Sequence, residues 1–312
     1  MNAVTRTAPT GSIYDLGYRH YEGKRRGRWW AVWSLYVEGM RGVWGFGRPM
    51  TAKAAPFILT GLYSLYALIQ LAFSASFSQA IASGDMTATD LASYHNYFAA
   101  VSFFMVLFLV AQAPELVCRD QRYHVLPLYF TRALGRVDYA FARLASLTTS
   151  LFLAMMVPMI ALFIGDILMK PDTLQAVGDE WPKFLPAIPA TALGALSLSA
   201  IALALSSFSP RRAYAAIGLV AYFLLMAIVP EVIFRVGNRA GWDWSDKLVL
   251  LSPTNVIGVA TDWFCGVALR ITPVNEGGPP TTLGTDAYVL AVVASIAVFT
   301  AVLLFRYRRI SA

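Results

Sequence analysis

Charge is scarce in this chain and cysteine nearly absent. Asp, Glu, Lys and Arg make up 14% of the 312 residues, 57% are apolar, and the mean hydropathy is +0.57. A soluble domain carries roughly a quarter charged residues, so this composition excludes an ordinary soluble globule and reads as an integral membrane protein. The two cysteines, Cys118 and Cys265, give neither a disulfide framework nor a metal cluster. The topology derived below sets them on opposite sides of the membrane, so they do not pair within one chain. His20, His95 and His124 are isolated from one another, which argues against a histidine metal site. The first fifty residues are polar, basic and aromatic rather than a short apolar core with a small-residue cleavage site, so no cleavable signal peptide is expected.

The parts of an energised or catalytic machine are missing as well. No phosphate-binding loop of the form G-x-x-x-x-G-K-[ST] is present. The nearest stretch, Gly17 to Arg25, has one residue too many between its glycines and an Arg where Ser or Thr would hold magnesium. The long apolar runs carry no Asp, Glu, Lys or His at mid-depth, where an ion-coupled carrier would keep one. Arg143 and Glu231 lie near run ends. No nucleophile-and-base set or carboxylate pair stands out, so neither catalytic residues nor a cofactor is assigned to this chain. The net charge of +7 does not point to nucleic acid, because Lys and Arg are spread through the loops rather than gathered on one face.

What is present is a series of apolar runs near the roughly 20 residues needed to cross hydrocarbon. Six spans are expected: 54–77, 94–113, 139–165, 184–208, 213–234 and 287–305, with Pro158 placed to kink the third. Before them, Arg28 to Gly47 repeats Trp29, Trp33, Tyr36, Val37, Met40 and Trp44 every three or four residues, off which Glu38 and Arg41 fall. This predicts a helix lying in the interface plane, aromatic face among the headgroups. The chain thus divides into a cytoplasmic N-terminal segment, 1–53, and a transmembrane domain, 54–312. Ahead of the helix, residues 1–10 are expected to be disordered, and Tyr14, Tyr18 and Tyr21 mark a basic, tyrosine-rich stretch.

Lys and Arg orient the spans. Nine precede the first span, five surround the second-to-third connection, and Arg211, Arg212, Arg306, Arg308 and Arg309 complete one side; Lys170, Lys183, Arg235, Arg239, Lys247 and Arg270 fall on the other. Both termini are therefore expected in the cytoplasm. The last external loop, 235–286, contains an apolar stretch broken by Ser252-Pro253, too poor for a full crossing, and reads as a re-entrant or interfacial hairpin. A turn-rich connection, NEGGPPTTLGT, precedes the last span.

The interval from Ala113 to Arg143 is the most charged part of the span region. Between Pro114 and Pro127, Glu115, Arg119, Asp120 and Arg122 alternate with Leu116, Val117, Tyr123, Val125 and Leu126 at helical spacing. This predicts a short amphipathic cytoplasmic helix able to seat in a groove of a soluble partner. The competing reading is a basic loop against anionic lipid.

An N-terminal interfacial helix, two spans, then PELVCRDQRYHVLPLYFTRALGRVDYAFARL opening on an acidic residue resembles the type-2 ABC transporter permeases, the six-span exporter family. The Ser252-Pro253-Thr254 hairpin and the short basic tail fit the same pattern. The resemblance implies an all-α integral membrane fold: six transmembrane helices, an interfacial helix, a cytoplasmic coupling helix and an external re-entrant hairpin. It implies partners: two cytoplasmic P-loop ATPases, which would bind the ATP and Mg, and a second identical or related permease. It places Glu115, Arg119, Asp120, Arg122, Tyr123, Leu126, Pro127 and Leu128 in the helix that couples to the ATPase. It makes Phe103, Phe104, Met105, Phe108, Phe223, Leu224 and Met226 candidates to line a substrate path between two membrane subunits. The expected function is outward movement of an amphipathic or hydrophobic compound across the cell membrane. The alternative is a membrane scaffold or sensor whose charged interval binds a signalling partner; a membrane-embedded enzyme is disfavoured by the missing catalytic set.

Overall fold

A computed structural model describes residues 23, 27–76, 94–130, 134–170, 172–242, 244–266 and 283–309. The segment with Tyr14, Tyr18 and Tyr21, the N-terminal ten residues and most of the turn-rich connection before the last span lie outside the described residues, as do His20 and the side chain of His95. Helix α1 spans Arg28–Val43 and α2 Met50–Ser76; α3, Tyr94–Arg122, leads through a turn into the short α4, Leu126–Phe130. Then follow α5 (Arg136–Met169), α6 (Thr173–Phe184), α7 (Ala187–Ser206), α8 (Arg212–Ala240), α9 (Ser245–Leu248), α10 (Pro253–Phe264) and α11 (Thr285–Arg308). No strand occurs among the described residues.

Among the described residues six helices are long and apolar enough to cross a membrane, and they coincide with the six spans expected from hydropathy. They are α2, α3, α5, α7 together with α6 ahead of it (Thr173–Ser206), α8 and α11. A multi-pass membrane protein is the fold these lengths and compositions describe. Exposed apolar side chains such as Leu65 and Leu68 on α2, and Val220 and Leu224 on α8, are where lipid belongs in such a fold.

The hub is α7. Its sequence, AIPATALGALSLSAIALALS, is small residues nearly all round, and α3, α5, α8, α10 and α11 all pack against it. Hydrocarbon gives apolar helices no solvent-driven reason to associate, so close approach over small residues and a few hydrogen bonds holds them together. Ser197 and Ser295 share one such bond, 2.8 Å, between α7 and α11.

Pro114 does not end α3, and Pro158 does not end α5. An internal proline removes one backbone bond, and neighbouring helices hold both helices through it. The separate helix expected to start at Glu115 is therefore the last turns of the second span itself. That helix closes on a Schellman pattern: Val125 N–H bonds to Asp120 O and His124 N–H to Gln121 O, with His124 at φ 51° in the left-handed position where glycine is usual.

After α8, Gly241 takes the left-handed conformation and Trp242 N–H bonds to Gly237 O at 2.8 Å. The chain then turns back through α9 and a 3-10 turn to α10, which opens with Pro253 and packs against α3, α7, α8 and α11. Its buried face is Val256, Ile257, Val259 and Ala260. The broken apolar stretch of the last loop is thus a helix built into the bundle.

Candidate functional site at the basic helix ends

One end of the bundle gathers α1, the α3–α5 connection, the start of α8 and the tail of α11; we term it the basic end. Helix α1 docks there along α5 and α3. Its buried face is not the aromatic stripe but Leu35, Gly39, Gly42 and Val43, while Trp29 and Trp33 stay exposed. Glycine is what permits the fit. A Cβ on Gly39 would lie 2.5 Å from Ser146 Oγ and 2.8 Å from Ser146 Cβ.

That docking brings acids and bases from five elements together. The Arg28 guanidinium donates from Nε and Nη2 to the two carboxylate oxygens of Asp138, 2.7 Å each, and Asp138 also accepts from the Gly135 N–H at the start of α5. The hydrogen bond and charge of Asp138 raise the Arg28 pKa further above its already high usual value. In the loop after α1, Arg48 donates to Glu115 Oε1 at 2.6 Å, and Arg212, at the first turn of α8, reaches Glu115 Oε2 at 2.8 Å. Glu115 therefore clamps three segments: the α1–α2 connection, α3 and α8.

The deepest member is Arg143, buried on α5. It donates from Nη1 to Glu38 Oε2 and from Nη2 to Asp120 Oδ2, 2.6 Å each, and Asp120 Oδ2 also accepts from Tyr139 Oη at 2.7 Å. The Arg143 guanidinium lies over the Tyr139 ring, which packs edge-on against Tyr307 of α11 at 5.1 Å. A guanidinium out of water is tolerated only when its charge is met in this way; both Nη groups are bonded, and the buried Nε–H has no partner among the described residues. Nearby, Ser207 O at the C-terminus of α7 accepts from Gln121 and more weakly from Arg306, at 3.0 and 3.4 Å, and Ser206 O from the Cys118 thiol. Donors and cations at a helix C-terminus satisfy its free carbonyls and oppose its dipole.

The residues expected to form the coupling helix divide accordingly. Glu115, Asp120 and Leu126 point inward and are occupied by the protein itself. Arg119, Arg122, Tyr123 and Leu128 are exposed, the last two at 66% each, with Pro127 between these groups in burial. What the bundle presents is a small surface of two cations, His124, a tyrosine and a leucine, standing on a base held by ion pairs.

The path candidates also divide. Met105, Phe108 and Phe223 are core in this chain, Phe108 packing edge-on against Trp44. Phe103 and Leu224 face outward, and Phe104 and Met226 are half-buried. Hydropathy could not separate these groups, because core and lipid-facing positions in a membrane helix are equally apolar. Sequence reasoning also missed Glu38, Arg48, Tyr139, Tyr307 and Arg212 as members of the site; the one signal available was that charged residues beside spans need partners. Among the described residues no group of His, Cys, Asp and Glu could hold a metal ion. No family model matches the sequence, and no curated protein does either.

Proposed function

We propose that the chain is the membrane subunit of an ATP-driven exporter of the type-2 ABC permease class. It would sit in the cell membrane with its basic end and both termini in the cytoplasm, and move an amphipathic or hydrophobic compound outward using separate P-loop ATPases. The observation that carries this reading is the exposed group Arg119, Arg122, Tyr123 and Leu128 on a rigid, ion-paired mount at the end of a span. A partner seated on that group pushes on α3. The Glu115 pairs with Arg48 and Arg212 would pass the push to the start of α2 and α8. Movement of α3 against α8 is what opening a path beside them requires, and the two states would be biased by ATP-driven closure of the partner.

In this reading α1 is the interfacial helix, its exposed indoles in the headgroup layer, and α10 with α9 is the re-entrant hairpin. A path between two membrane subunits would be lined by Phe103 and Leu224, the outward pair. The test is affinity purification from native membranes in mild detergent, with co-purifying chains identified by mass spectrometry. A P-loop ATPase retained by the unaltered chain and lost from Tyr123→Ala/Leu128→Ala, with the variant's thermal unfolding unchanged, supports the proposal. A stable complex without an ATPase refutes it and favours a scaffold or sensor.

A further inference from the structure

Helix α6 lies at the end of the bundle opposite the basic end, between the last turn of α5 and the first of α7. Nine of its 12 residues fall into three sectors when stepped at about 100° per residue. Ala176, Glu180 and Phe184 are buried against the protein, and Glu180 accepts from Lys170 and Lys183 at 2.8 Å each. Gln175, Asp179 and Lys183 form an exposed polar sector. Leu174, Val177 and Trp181, continued by Leu185, form an exposed apolar one, with Leu174 at 91%. A helix that packs on a soluble core buries its apolar stripe; α6 turns its stripe away.

We propose that this stripe lies in the headgroup boundary of the lipid leaflet at this end, making α6 a second interfacial helix whose occupant is lipid. Three observations select lipid over a protein partner. The stripe continues the outward surface of a membrane-crossing helix, since Ile164, Leu168 and Met169 at the end of α5 are exposed apolar residues that directly precede it. The sectors stand in the order an interface requires: apolar and polar on opposite sides, with the protein-facing sector between them. A helix lying flat beside α5 then has hydrocarbon beneath it and water above. Finally, the stripe carries Trp181, a side chain favoured at headgroup depth, held in place by Phe163 at 6.0 Å and by Phe184 at 6.2 Å.

The inference is independent of what the protein transports. It is tested on the full-length chain with Cys265→Ala, the buried Cys118 left in place, reconstituted in phosphatidylcholine–phosphatidylglycerol vesicles. Leu174→Cys, Val177→Cys, Gln175→Cys and Asp179→Cys are made singly and spin-labelled, and collision rates with oxygen and with a water-soluble nickel chelate are measured. Labels at 174 and 177 are expected to favour oxygen several-fold over nickel, and labels at 175 and 179 the reverse. Nickel favoured at all four sites places the stripe in water and overturns the proposal. Shielding of 174 and 177 from both reagents overturns it too, since a second copy or another protein then covers the stripe. All four positions are exposed, so the labels do not perturb the core.

Discussion

Replacing Arg143 by Met tests the ion-paired mount directly. The side chain is 4% exposed and bridges two carboxylates of very different surroundings: Asp120 at 11% and Glu38 at 51%. Removing the guanidinium leaves Asp120 buried with the Tyr139 hydroxyl as its one side-chain donor among the described residues. Breaking a buried pair by deleting one partner costs about 3–5 kcal/mol. The Glu38 contact is half in solvent, where such pairs contribute about 0–1 kcal/mol, so Glu38→Gln is expected to be mild. The double variant Arg143→Met/Asp120→Leu removes the stranded carboxylate and is expected to recover much of the loss, because an apolar replacement of a whole buried pair is often neutral. Reversible unfolding of the purified protein in mixed detergent–dodecyl sulfate micelles measures all four variants, Asp120→Leu alone completing the cycle. Equal losses for Arg143→Met and Glu38→Gln, or a double variant as unstable as the sum of its singles, would refute the assignment of Asp120 as the buried partner.

Gly39→Ala should destabilise by about 1–3 kcal/mol through overpacking on Ser146. Ser146→Gly should restore part of that, and protease cleavage at α1 reports whether the helix has come away. His124→Gly should leave stability unchanged or raise it by up to about 1 kcal/mol, because a non-glycine residue at this left-handed position carries strain; His124→Val should lower it in the same thermal assay. Ser197→Ala removes an α7–α11 bond and should cost only about 0.6 kcal/mol, the average for interhelical hydrogen bonds in membranes. A loss several times larger in the micelle assay would mean that Ser197 does more than bond Ser295.

Hydropathy located the six described helices that are long and apolar enough to cross a membrane, because backbone satisfaction in hydrocarbon forces each long apolar run into a helix regardless of its neighbours. It also located the charged interval, since Arg119, Asp120 and Arg122 have no place inside such a run. Direction was another matter. The stripe of Trp29, Trp33, Tyr36 and Val37 identified α1 as an amphipathic helix with its aromatic face turned to the headgroups, but it did not show that the docking face is the one with Gly39 and Gly42, where close approach selects small residues. Glu115 was singled out for polar contacts at the start of the coupling helix, and nothing local showed that Arg48 and Arg212, residues 67 and 97 positions away in the chain, would hold it. Helix α6 went unassigned because TLQAVGDEWPKF is short and mixed, and its three-sector pattern has meaning only once the protein-facing side is known.

The sequence by itself determined six runs long and apolar enough to cross a membrane and the charged connections between them, because those properties follow from local composition and length. Only the tertiary structure decided which charges meet, which of Phe103, Phe108 and Phe223 face outward, and which face of α1 and α6 is buried. Those choices depend on contacts between segments far apart in the chain, where shape, glycine clearance and ion-pair geometry discriminate and hydropathy does not.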